Sequence, residues 1–439
     1  MVGFPHAMTR NLFSGLIFTA LALAPLAARA QKPAAEADLP VIRISDPNRD
    51  LLRLAVPNAV GDGGGEATSI ERRDFEVVGL FNLLDPTSFP PALQQEGLGF
   101  SSALWGQVGA QAVAKLKASR EGGNATVEGR LYQIGRGESP VLSKTYRGGD
   151  LRSLVHRWVN DVIQQFTGTP GPLGSRIAFA QSGRTPEIAA IGMDGGQMQV
   201  LTKMNSECLL PAYSPTGREV AFTSFLRGGA DLWIVPAGGG RARWVSHRSG
   251  MNSGAVWYPD GVSIALTLSH EGNPEIYKIR ASDAGIVSRL TNQNASDLSP
   301  TISGDGSQIA FVSDRGGSPQ IYLMSASGGG AKRLTFAGNQ NTTPKFNPRA
   351  DKPLIAFTGR DERLNFDIFV FDVSKGKIDR MTQSQGSNYD PAWSPDGRLL
   401  VYASSRGGLF VMNAETRKEI QIYRGGAHSP SWGPTPPAR

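Results

Sequence analysis

The sequence predicts two domains, a small N-terminal α/β domain followed by an all-β six-bladed β-propeller of the WD40-like (PD40) kind. Three observations lead there. A strand pattern with two large apolar residues two positions apart recurs six times, as Ile177/Phe179, Val220/Phe222, Ile264/Leu266, Ile309/Phe311, Ile355/Phe357 and Leu400/Tyr402. Three further strand-like segments accompany each pair, and four short strands per repeat make a propeller blade. The first and last repeats are each incomplete, and what one lacks the other supplies.

The six pairs begin 43, 44, 45, 46 and 45 residues apart, a period typical of blades or solenoid units. Residues i and i+2 share one face of a strand, so each pair can plug a core. The next strand carries Ile188, Leu232, Ile276, Ile321, Ile368 or Leu409, in most cases beside an aromatic such as Trp233 or Tyr322. Glycine-rich turns follow, as at Gly238 to Gly240 and Gly328 to Gly330, where tight hairpins need positive φ. A third strand ends in a pair such as Leu201-Thr202 or Leu334-Thr335, and a Pro/aromatic element closes the unit, most clearly at Pro211 to Pro215 and Pro391 to Gly397.

The first core strand, near Arg176 to Ala180, has no Pro/aromatic element before it, and the last such element, Pro430 to Pro434, has no core strand after it. Joining the two closes a ring of six blades over residues 175–433 and removes the exposed sheet edges that an open array would carry.

Ahead of the ring, residues 1–30 read as a cleaved signal peptide. Arg10 precedes a mostly apolar run from Leu12 to Leu26, and Ala28-Arg29-Ala30 places cleavage before Gln31. Removing that segment lowers the formal net charge from +7 to +5. No basic block with interleaved aromatics occurs, which argues against nucleic-acid binding. The single cysteine, Cys208, excludes an intramolecular disulfide and reads as a small buried hydrophobe. Residues 31–50 read as a flexible leader.

Residues 51–168 form the α/β domain. Leu52, Leu54 and Val56 alternate as a strand, Glu66 to Phe81 reads as a helix, and Ala112 to Ser119 with Ala125 to Gln133 read as a hairpin followed by a strand over Val141 to Tyr146. The clearest element is a helix from Asp150 to Phe166, with Leu151, Leu154, Val155, Trp158, Val159, Val162, Ile163 and Phe166 on one face, an Asp150 N-cap and a Gly168 stop. Thr169 to Pro172 is the linker.

Catalytic signatures are missing. There is no G-x-S-x-G elbow and no H-E-x-x-H, and the triple-glycine runs lack the ending of a phosphate loop. His156 falls off the apolar face of its helix and reads as solvated surface, while His270 and His428 read as loop residues suited to polar contact. No catalytic residue, metal ligand or cofactor site is expected. A propeller hydrolase or lactonase working through the central channel is the alternative.

Ser313-Asp-Arg-Gly-Gly-Ser-Pro-Gln-Ile-Tyr322, followed by Gly328 to Thr335, closely resembles the repeat of the TolB family, the periplasmic propeller proteins of the Tol–Pal system. Asp390 to Gly397 and the Pro-Ser-Trp ending resemble it too, as does the helix–Phe166-Thr-Gly junction. The resemblance implies a monomeric periplasmic scaffold without catalysis or direct membrane insertion. Its partners would be the lipoprotein Pal, TolA, and other outer-membrane proteins and lipoproteins, and its roles outer-membrane integrity, cell division and protein import. It places the Pal-facing residues just before each Pro/aromatic element, at Met251, Asn252, Gly254, Asp297, Leu298, Asn341, Thr342, Asn388, Tyr389 and Asp390. The TolA-binding segment corresponds to Ile42, Arg43 and Ile44, with roughly ten extra residues ahead of it relative to the family pattern.

Overall fold

The computed structural model describes residues 42–44, 51–121, 123–360 and 364–437. The expected signal segment and most of the leader lie outside the described residues.

The N-terminal domain is a five-stranded sheet in the order Asn82–Leu83, Arg53–Ala55, Ala112–Glu121, Asn124–Gln133, Leu142–Arg147. The first three strands run parallel and the last three pair antiparallel. Strand alternation sorts the residues of Ala112–Glu121 between two cores. Ala112, Ala114, Leu116 and Ala118 face the helices α1 (Gly64–Val78) and α4 (Leu151–Thr167). Val113 faces a smaller cluster under two short helices, α2 (Pro91–Gln95) and α3 (Ser102–Gln107), with Phe89, Leu93 and Trp105. These short helices span too few turns for sequence periodicity to reveal them. The hairpin and the α4 caps fall where the sequence puts them: Asp150 accepts from the Ser153 N–H at 3.0 Å, and Gly168 ends the helix at φ 78°. Helix α1 starts and stops earlier than expected, because Gly79 caps it in the left-handed conformation at φ 62°.

Trp158 of α4 lies flat on the sheet because Gly129 leaves room, where any Cβ would collide with the indole ring. The Trp158 indole N–H donates to Glu71 Oε1 at 2.8 Å, while Glu71 Oε2 has no partner. Burial pushes the Glu71 carboxyl up to about 8.

The propeller comprises six sheets, one per blade. The innermost strands are Ala427–Trp432, Cys208–Tyr213, Asn252–Trp257, Asp297–Ile302, Asn341–Phe346 and Asn388–Trp393, in blades 1 to 6. All six apolar pairs seen in the sequence sit on the second strands and are fully or almost fully buried. Cys208 is buried as expected. Closure follows the predicted seam: Ala427–Trp432 pairs antiparallel with Arg176–Gln181, matching Ala427 to Gln181 and Trp432 to Ile177. The Trp432 indole N–H also donates to Ser175 Oγ at 2.8 Å.

Every innermost strand carries a bulge. Its pivot is a residue at positive φ, namely Leu210, Gly254, Ser299, Thr343, Asp390 or Ser429. All but Gly254 are followed by proline. A bulge frees one N–H from the ladder, which is where proline can enter a sheet without loss. That is the physical content of the Pro/aromatic element.

The leader departs from expectation at one place. Ile42–Ile44 is a strand, not flexible chain, and runs parallel to Lys377–Arg380 on the outer edge of blade 5, with Ile42 opposite Ile378 and Ile44 opposite Arg380.

Two outcomes are expected. Deleting residues 427–439 should lower the Tm of the whole ring and open it to protease; a truncated chain that melts like the full one contradicts closure by this strand. Glu71 holds in the native state a proton that the unfolded chain sheds above 4.5, so its contribution to stability is lost as pH rises towards about 8. Glu71→Gln, which keeps the acceptor for Trp158, should therefore raise Tm at about pH 8.5 and leave it nearly unchanged at about pH 4.5; equal shifts at both would contradict a buried neutral carboxyl.

Candidate functional site

Antiparallel connectivity gives the ring two distinct faces. Turns between third and fourth strands emerge on one face, and the N-terminal domain sits there, over blades 6 and 1. Two side chains of blade 6 take carbonyls at the C-terminal end of α1, and a third takes one in the segment that follows. Asn413 donates to Val78 O at 2.9 Å, Thr416 to Gly79 O at 2.8 Å and Lys418 to Phe81 O at 2.9 Å. The opposite face carries the loops between blades, the starts of the innermost strands and the turns between second and third strands. Among the described residues the N-terminal domain does not reach it.

All ten Pal-face candidates from the sequence stand on this open face, but they divide into two kinds. Asn252, Asp297, Asn341 and Asn388 head the innermost strands of blades 3 to 6 and are buried. Asn252 Oδ1 accepts from Ser246 Oγ at 2.7 Å and from the Arg248 N–H at 3.0 Å, and its amide donates to Arg248 O at 2.7 Å. Asp297 takes both carboxylate bonds from Arg315 Nη2, at 3.0 and 2.8 Å, although burial still raises its carboxyl above the ordinary value. Asn341 donates to Gln320 Oε1 at 2.8 Å and to Ala337 O at 2.9 Å. Asn252, Asp297 and Asn341 thereby fix their loops, whereas Asn388 makes one long contact, to Gly386 O at 3.5 Å, and its Oδ1 has no partner. Met251, Leu298, Thr342, Tyr389 and Asp390 are partly exposed, and Gly254 is the bulge pivot of blade 3.

At the level of the bulges the bore holds a cavity of about 40 Å³, with Leu210, Gly254, Ser299, Thr343, Asp390 and Ser429 on its wall. Pockets that hold organic ligands run to roughly 300–1,000 Å³. Asp390 Oδ2 accepts from Ser429 N and Oγ, both at 3.1 Å. Lys345 also lines the channel, and desolvation holds its ammonium below the ordinary value.

Sequence reasoning missed the exposed apolar groups of this face, which include Phe225, Leu226, Phe336 and Leu364. Phe225 and Leu226 are 40% and 44% exposed, in a turn where other blades carry Ser269-His270, Asp314-Arg315 or Ser405-Arg406. Beside them, the Arg227 guanidinium lies 4.8 Å from the ring centre of the exposed Trp244, and the His247 ring, tilted by 32°, lies 4.1 Å from the same centre. Comparing that turn across the repeats would have singled out blade 2.

Two histidine readings need correction. His428 is on the innermost strand of blade 1, exposed, rather than in a loop. His156 is not solvated surface: it is 9% exposed and bonded to Asp74 at 2.7 Å. The propeller turn beyond α4 covers it. His270 is in a turn as expected, against Tyr277 at 5.2 Å.

An α/β domain seated on one face of a closed six-bladed ring, with the other face open among the described residues, defines a two-domain propeller. Comparison with known proteins identifies the lineage. The TolB β-propeller domain family matches residues 163–436, and the TolB amino-terminal domain family matches residues 40–139. The Tol-Pal system protein TolB of Anaeromyxobacter dehalogenans (strain 2CP-C) is 40% identical over 441 residues, covering 96% of this chain and 100% of that protein. The Tol-Pal system protein TolB of Myxococcus xanthus (strain DK1622) is 37% identical over 440 residues, covering 97% and 99%. The crystal structure of TolB from Acinetobacter baumannii superposes with a TM-score of 0.78 at 25% identity, covering 88% of this chain and 97% of that one. The chain belongs to the TolB family.

Because Asn252 and Asp297 are satisfied inside the ring, Asn252→Ala and Asp297→Ala should each destabilise it, by about 1–3 kcal/mol for the partners left unsatisfied. Thermal denaturation checks this, and unchanged Tm values would return both side chains to the candidate contact surface.

Proposed function

We propose that this chain is a non-enzymatic periplasmic scaffold of the Tol–Pal system that binds Pal on the open propeller face and TolA through its N-terminal segment. In that role it maintains outer-membrane integrity and invagination during division. The observation that carries the reading is similarity to Tol-Pal system TolB proteins along nearly the whole of both chains, N-terminal domain included. The narrow bore supports surface docking over a substrate held in the channel.

The chemistry of the open face fits a reversible, partly wet interface: half-exposed polar loops around the mouth, with Phe225 and Leu226 as apolar anchors beside it. For TolA, the edge position of Ile42–Ile44 is suggestive. Three residues of parallel pairing hold a strand weakly, and the same backbone edge can add to a partner's sheet instead.

Soluble Pal should be recovered with the full chain from a periplasmic extract. Phe225→Ser with Leu226→Ser should weaken Pal about tenfold, the effect of about 1.4 kcal/mol, at unchanged Tm. Deleting Ile42 to Ile44 should abolish TolA capture and leave Pal capture intact. Failure to recover Pal with intact protein contradicts the function; recovery with unchanged affinity in the double variant contradicts only the anchor.

A further inference from the structure

Charged groups of the two domains meet where α1 and α4 rest on the turn that follows Glu187–Gly192 in blade 1. Asp74 of α1 is fully buried, Asp194 of the turn is nearly so, and His156 of α4 lies between them. His156 Nδ1 is 2.7 Å from Asp74 Oδ2, and its Nε2 is 3.7 Å from Asp194 Oδ2. Arg152 of α4 ion-pairs with Asp194. Arg73 of α1 donates to Asp194 O and to Gln421 O, both at 3.1 Å. Asp194 Oδ1 accepts from the Gly196 N–H at 3.0 Å, and a Cβ on Gly196 would collide with the Arg152 guanidinium. Asp74 Oδ1 has no partner. The other charged groups facing the cluster are Glu71 and Arg72 on α1 and Asp150 at the start of α4.

We propose that this junction is a proton-operated clamp, in which protonated His156 bridging Asp74 and Asp194 holds the N-terminal domain on blade 1 and loss of that proton loosens it. The charge balance carries the argument. With an imidazolium, two buried carboxylates face two cations, His156 and Arg152. With a neutral imidazole, Arg152 stands on Asp194 alone, and Asp74 keeps an uncompensated buried charge with one oxygen unbonded. Removing one member of a buried ion pair is strongly destabilising for that reason. The three carboxylate and imidazole atoms lie within 4.8 Å of one another, but the cations among them are already Arg152 and the imidazolium.

Burial alone would depress His156, yet the charges of Asp74 and Asp194 outweigh it and hold the imidazole above its ordinary value. Burial likewise raises Asp74, to about 6. Both groups bind protons more tightly in the native state, so the junction loses stability as pH rises. It weakens as pH rises past about 6 and through the raised histidine value. The strands of blade 4, Gln308–Ser313 and Gln320–Ser325, contain no histidine and are distant in sequence from the cluster. They serve as an internal reference.

Amide hydrogen exchange of the full chain at about pH 6 and about pH 8.5, corrected for intrinsic rates, tests the clamp. Opening at Met193 to Gln197 should rise severalfold relative to blade 4 between the two pH values. His156→Gln should abolish that difference. If that variant fails to fold, Asp194→Asn, which keeps the acceptor for Gly196, should do the same. Equal change in the turn and blade 4 overturns the proposal, and so does a wild-type response in either folded variant.

Discussion

One non-covalent seam holds this molecule together: the antiparallel pairing of Ala427–Trp432 with Arg176–Gln181. Without it, blades 1 and 6 would be two ends of a strip with bare strand edges. The N-terminal domain is placed to protect that seam. Its helix α1 is capped by Asn413 and Thr416 of blade 6, Lys418 bonds the segment just after it, and Arg73 and Arg152 reach the turn of blade 1. The core is continuous across the boundary, running from Val155 and Val159 of α4 to Ile177 and Phe179 of blade 1 and Leu399 and Val401 of blade 6. The two domains behave as one packed unit because the smaller one lies across the joint in the larger.

The ring was legible because its determinants are local and repeated. A second strand buried on both faces must be apolar at i and i+2, and six copies of that demand stand out in one chain. The complementary ends, Gly171-Pro172 at one and Pro430 to Pro434 at the other, revealed closure for the same reason. Helix α4 was legible from its stripe and its caps. His156 was not, since a residue off the apolar stripe looks solvated until a turn some 40 residues later in the chain covers it. The sequence cannot express that burial locally.

On the open face, too, burial was not legible locally. Asparagine and aspartate at the head of an innermost strand look like contact residues, yet Asn252, Asp297 and Asn341 are consumed in holding their own loops. Phe225 and Leu226 break the polar pattern of their turn, a departure visible only when the blades are aligned on one another. Ile42–Ile44 is too short for any periodicity, and its strand exists only because blade 5 offers an unpaired edge. Three of these polar side chains position the loops of the open face, and half-exposed groups stand between them.

These features combine into a division of labour. One face carries the N-terminal domain, six bulges narrow the bore, and the remaining face is the one proposed to dock Pal. The measurement that addresses this most directly is a footprint of soluble Pal on the full chain by amide hydrogen exchange. Protection at 249–254, 292–298, 336–342 and 383–390 and at the Phe225 turn, with none at Met193 to Gln197, is the predicted result. Protection confined to the N-terminal domain or to the opposite face would contradict the account.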